Sequence, residues 1–321
     1  MMKKTFLKVV LGAVFCLPLV LTSCNDVFGQ MDNASTETKL TVTYYVWDPT
    51  EQKLVEKTST DDVTVITSST TSWSGLCFVN ENVTIDGDVT LAGDVTLVVA
   101  DGVKLTVNGQ VVNAQYNLSL YGQKEKTGQF VVGIDVAGIA METKGLEIGG
   151  LKVNVKATDG AGYSAIQTHG KTAIYDGEVT ASGNHGIYVE DGGDVEIYGG
   201  TVNLTSPAQT LWANNLTISG GTVTATGDGV GGLGVINCTN VLIKNTVKEI
   251  KITNTTVTTD ESLDHWLNGS TSLVFGTNAS VNAGTTNIAV GASLSTGNFA
   301  GFTVTRGSGT EKTIVTIKPN A

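Results

Sequence analysis

Past residue 38 the chain alternates apolar and polar side chains at nearly every second position, the period of a strand with one buried face. No stretch there sustains the roughly 3.6-residue period of a long helix. The first alternating run, Thr41-Val42-Thr43-Tyr44-Tyr45-Val46-Trp47, stops at the turn residues Asp48-Pro49-Thr50. Lys53 to Thr58 and Val63 to Thr67 follow, so residues 39–72 read as two or three short strands.

Farther along, a repeat organises the alternation. Ile174-Tyr-Asp-Gly-Glu-Val179, Ile197-Tyr-Gly-Gly-Thr-Val202 and Ile218-Ser-Gly-Gly-Thr-Val223 each hold two aliphatic residues five apart around a glycine-containing turn. Ile148-Gly-Gly-Leu-Lys-Val153 keeps the spacing with its glycines shifted by one, and Ile252-Thr-Asn-Thr-Thr-Val257 puts Asn254 in their place. The leading isoleucines then fall 26, 23, 21 and 34 residues apart, which predicts a regular coil with one enlarged turn. Val195 and Ile197 before the turn share a strand face with Val202 and Leu204 after it, and Leu216, Ile218, Val223 and Ala225 repeat the arrangement.

A turn that recurs at the same place in every repeat is what a winding tube of parallel strands requires. Equivalent side chains then stack about 4.8 Å apart and form apolar ladders inside the tube. The expected fold is all-β: a right-handed parallel β-helix over residues 73–269, an N-terminal β cap over 39–72, and terminal coils with a C-terminal β cap over 270–321. Antiparallel pairing through Gly307-Ser308-Gly309 would close that last cap.

The N-terminus obeys a different logic. Lys3, Lys4 and Lys8 accompany an apolar run from Val9 to Leu21, followed at once by Leu21-Thr22-Ser23-Cys24, which reads as a signal peptide over residues 1–23. The run is shorter than the roughly 20 residues that span a bilayer. Residues 24–38 are polar and without a period, as a flexible tether would be. Removing the three lysines takes the formal charge from −11 to −14, so nucleic acid and anionic membrane surfaces are poor partners for the mature chain. Arg306 is the sole arginine, and bidentate clamping of carboxylate or phosphate is correspondingly weak. Cys77 and Cys238 lie far apart in sequence; two separately buried thiols fit them better than a disulfide, which an extracytoplasmic compartment would permit.

Three resemblances add to this reading. Leu-Thr-Ser-Cys resembles the lipobox of bacterial lipoproteins, which implies acylation of Cys24, palmitate-type chains, and an outer-membrane protein displayed at the cell surface. Trp73, then Asn82-Val-Thr-Ile-Asp-Gly-Asp-Val-Thr-Leu91, Asp101-Gly-Val-Lys-Leu-Thr-Val107 and Leu118-Ser-Leu-Tyr-Gly-Gln123, resemble the opening of a family of bacterial surface β-helix proteins. The coils from Leu146 to Thr259 are similar to carbohydrate-binding parallel β-helices. Together these imply a monomeric binder of acidic, pectin-like polysaccharide with calcium as a bridge, or more generally a surface adhesin with a protein partner.

The residues themselves suggest where such a ligand would go. The segments that vary between repeats are Asp159 to Tyr163, Asn184 to Tyr188, Pro207 to Trp212 and Gly227 to Gly229, and in-register coils would line them up along one edge. Tyr163, His185, Tyr188, Gln209 and Trp212 are the candidate ligand-binding residues, with aromatic rings for sugar faces and polar groups for hydroxyls. Asp159 and Asp228 are the candidate ligands for Ca²⁺, which would bridge an acidic protein to an acidic polymer. An enzyme finds less support. The paired acids Asp61-Asp62 fall in the cap, and Asn184-His185-Gly186 is a faint likeness to a polygalacturonase segment whose acid and arginine partners are missing. His169, His185 and His265 lack metal-ligand spacing. Gly229-Val-Gly-Gly-Leu-Gly234 fits a dinucleotide pattern, but the β-like residues after it supply no helix dipole.

Overall fold

Successive strands of the body pair in parallel with the strand one coil away, and the register follows the isoleucine frame. The computed structural model describes residues 39–133, 138–158, 162–190, 192–229, 234–256, 265–276, 286–289, 297–299, 301–307 and 313–320. The signal segment, Cys24 and the tether lie outside them. Among the described residues there is no α-helix, and about seven turns of a right-handed parallel β-helix form the body.

Each coil has three faces. In one coil His185–Val189 lies on the first face, Asp194–Ile197 on the second and Thr201–Thr205 on the third. On the second face Leu120, Ile148, Ile174, Ile197, Ile218 and Ile243 stand over one another in register. The third face stacks Phe130, Val153, Val179, Val202, Val223 and Ile250. All of these are essentially buried, so each isoleucine contributes roughly 1.5–3 kcal/mol of transfer free energy to a continuous core. Thr168 and Thr172 interrupt the apolar lining, and their hydroxyls pair with each other at 2.8 Å.

The enlarged coil lies one turn later than expected, between Ile243 and Phe275, which pair 32 residues apart. Ile252 pairs with Ala225 on the third face, and the partner of Ile218 on the second face is Ile243. The true spacing after Ile218 is therefore 25 residues instead of 34. What conceals it is a bulge: Gly221 pairs with Val247 but Thr222 with Glu249, which leaves Lys248 as an extra residue. Ile243 and Ile250 are seven apart where the four preceding coils have five, and no glycine marks the turn.

The expected N-terminal strands are present, though most of that segment lies alongside the tube. Strands β1 (Val42–Asp48) and β2 (Lys53–Ser59) form an antiparallel hairpin. Its Val42 and Tyr44 pack with Leu76, Phe78, Val98 and Tyr121, which point outward from the second face. The Gln123 amide donates to Thr43 O at 2.9 Å and fastens the hairpin to the flank. Strand β3 (Val63–Val65) pairs in parallel with Leu76 to Phe78, and Ile66 is buried in the core at this end. At the other end the parallel coils run on to Leu267–Gly276. Phe302–Arg306 and Ile314–Pro319 pair antiparallel and dock on Val247–Asn254, so the expected antiparallel closure is present while its turn at 308–312 lies outside the described residues.

Candidate functional site

The corner that joins the third face of one coil to the first face of the next gathers the variable segments, as the repeat implies. Asn184 N–H donates to Tyr163 O at 2.8 Å, the Ser206 hydroxyl to Asn184 O at 2.5 Å, and Asp228 N–H to Ala208 O at 3.3 Å. Tyr163 is exposed there, one coil before Asn184. Asp159 lies outside the described residues.

Parallel pairing carries three of the aromatic candidates off that corner and onto the first face. Tyr188 pairs with Trp212, in an outward row that runs Val112, Glu142, Gln167, Tyr188, Trp212, Asn237. Neighbours in such a row are one strand spacing apart, close enough for rings to touch. The ring centroids of Tyr188 and Trp212 are 6.1 Å apart, and the His185 ring lies 5.2 Å from Tyr188 and 6.1 Å from Trp212. Trp212 remains 37% exposed, which is rare for so large an apolar side chain. Beside it runs a groove of about 350 Å³ lined by Tyr188, Glu190, Gly192, Trp212, Asn214 and Thr239.

Gln209 has a different place from the one expected. It is buried, and its side chain hydrogen-bonds His185, so it helps hold the ring and does not itself present a surface. Burial pushes the His185 pKa below its ordinary value, and the Gln209 hydrogen bond offsets only part of that. The imidazole is thus neutral at pH 7 and adds a flat, uncharged ring to the cluster.

A polar group beside the rings has no counterpart among the sequence candidates. His169 lies between two carboxylates, with Nε2 3.0 Å from Glu142 and Nδ1 3.0 Å from Glu190. The Gln167 amide donates to Glu190 at 2.9 Å. Glu142, Gln167, Tyr188 and Trp212 share one row, so the coil register alone would have found them once the strand phase was known.

Asp228 keeps one carboxylate oxygen buried and without a hydrogen-bond partner. Among the described residues no three His, Cys, Asp or Glu side chains come together as a metal cluster. Asp61 accepts a hydrogen bond from Ser59 at 2.7 Å, and exposed Asp62 faces Lys39 at 3.4 Å; both acids serve the end of the hairpin. The Arg306 guanidinium lies 4.6 Å over the Trp266 ring. Gly229 to Gly234 is followed by strand Ile236–Lys244, which leaves no helix to receive a phosphate. Cys77 and Cys238 are buried free thiols in different coils, and desolvation pushes their pKa values up to about 11 and about 12.

No family model, curated protein or solved structure matches this chain. The functional reading therefore rests on the geometry of the first face.

Proposed function

We propose that this protein is a non-catalytic glycan-binding module, displayed on the outer membrane through lipid on Cys24, and that the His185–Tyr188–Trp212 platform takes the sugar. The exposed Trp212 ring in contact with Tyr188 carries the reading. A sugar presents an apolar C–H face and a rim of hydroxyls. Aromatic rings cover the first, while Gln167, Glu190 and Asn214 border the platform with groups that meet the second. The β-helix lets a polymer cross successive coils on a rigid sheet, which lowers the ordering cost of binding.

Local charge narrows the ligand. Glu190 lines the groove beside Trp212 and Glu142 stands two strands from Tyr188 in the same row, so a neutral polysaccharide fits this face better than an acidic one. Affinity electrophoresis of the purified full chain through gels containing neutral polysaccharides tests the reading. Trp212→Ala should weaken retention by roughly tenfold or more, and adding a chelator should leave it unchanged. Equal retention of Trp212→Ala and the unaltered chain on every retarding polymer would remove the platform from the account.

A further inference from the structure

The tip of the β1–β2 hairpin leaves a second concavity on a different flank. A crevice of about 490 Å³ opens between the hairpin and the turn that joins the second face to the third. Its aromatic wall is well fixed. Trp47 lies parallel to Tyr175 at 4.7 Å and 7°, and 4.7 Å from Tyr198. The Tyr175 and Tyr198 hydroxyls are already committed to Glu147 at 3.1 Å and Glu196 at 2.5 Å; Tyr175 is buried against Trp47, and Tyr198 keeps part of its ring at the surface. The floor is the stacked glycine turns of two coils, Gly199-Gly200 and Gly220-Gly221, where backbone replaces side chains.

Charge sets this crevice apart from the rest of the protein. Its lining holds Lys53, Lys126 and Lys248 against one carboxylate, Asp176, in a chain with a formal charge of −11. Lys126 pairs with Asp176 at 2.5 Å and Lys53 with Glu51 at 2.6 Å. Lys248 has no ion pair among the described residues, and it is the extra residue that the register shift opposite Gly221 and Thr222 inserts. An acidic chain that collects ammonium groups around an aromatic wall has built a place for an anion on a ring.

We infer that this crevice is a binding site for a saccharide bearing sulfate esters. The three cations are all lysines, compact point charges on flexible stems that can each meet a different oxygen of a tetrahedral sulfate. The sole arginine, Arg306, is occupied elsewhere, over Trp266. The sugar ring rests against Trp47 and the glycine floor, and its sulfate meets Lys53 and Lys248. This site stands apart from the Trp212 platform, with which it shares no lining residue.

Titration of the full chain with dextran sulfate oligosaccharides, neutral dextran and oligogalacturonate, followed by tryptophan emission and calorimetry, tests the assignment. Dextran sulfate should bind, and binding should weaken as salt rises. The double variant Lys53→Ala/Lys248→Ala should lose at least tenfold in affinity at an unchanged unfolding midpoint, since both side chains are at the surface. Trp212→Ala should bind dextran sulfate as the unaltered chain does, which keeps this result separate from the fate of the platform. Undiminished binding by the lysine double variant, or equally strong binding of neutral dextran, would overturn the site. Equal or tighter binding of oligogalacturonate would overturn the choice of sulfate.

Discussion

His185 shows how the interior of one coil tunes the surface of the next. Buried Gln209 hydrogen-bonds its ring, and desolvation lowers its pKa from the ordinary 6.5. The unfolded chain then binds the proton more readily than the folded one, so stability present above pH 6.5 is lost as pH falls through the folded value. His185→Gln should therefore flatten the dependence of the unfolding midpoint as pH falls from neutral into the acid range, as measured by circular dichroism. An unchanged slope would mean that the ring is not desolvated as described. Glu196 titrates lower: burial raises its pKa, but Lys171 and the Tyr198 hydroxyl outweigh that and hold it below the usual carboxylate range. Its contribution to stability is accordingly lost only under stronger acid.

At the scale of elements, the turn between the second and third faces explains why the repeat was visible at all. Gly200 and Gly221 have φ of 78° and 74°, and a Cβ on either would sit within 2.5 Å of the carbonyl oxygen one coil away. Only glycine meets both demands, so it recurs at a fixed distance from the isoleucine and marks the coil. Gly200→Ala should cost about 1–3 kcal/mol of unfolding free energy in a urea titration, from backbone strain and displaced stacking together. A loss below about 0.5 kcal/mol, the range of an ordinary surface change, would contradict that turn geometry. Where the turn was built another way, the pattern failed. Lys248 lengthens the next one without glycine, and Ile252 then passed for Ile243. The hairpin strands were equally legible from alternation, but their position was not. Alternation says that Val42 and Tyr44 need an apolar neighbour, and it does not say that the neighbour is the outside of the tube.

Across the whole molecule, one apolar tube supports two surfaces of opposite character. The first face carries neutral rings beside acids, and the hairpin crevice carries rings beside lysines. Stacking made the first of these partly readable from sequence, because Tyr188 and Trp212 fall in equivalent positions of adjacent coils. The crevice was hidden, since Trp47 and Lys53 come from the hairpin, Lys126, Tyr175 and Tyr198 from different coils, and Lys248 from the bulge. The four tryptophans divide in a way that serves a direct test. Trp73 and Trp266 are fully buried, Trp47 is half-buried against two tyrosines, and Trp212 alone is exposed. The decisive measurement is a fluorescence titration of the unaltered chain and of Trp212→Phe with the neutral polysaccharide that retards the protein most. A saturable shift in emission that vanishes in Trp212→Phe is the expected result; the same shift in both chains would show that the sugar does not bind on the first face.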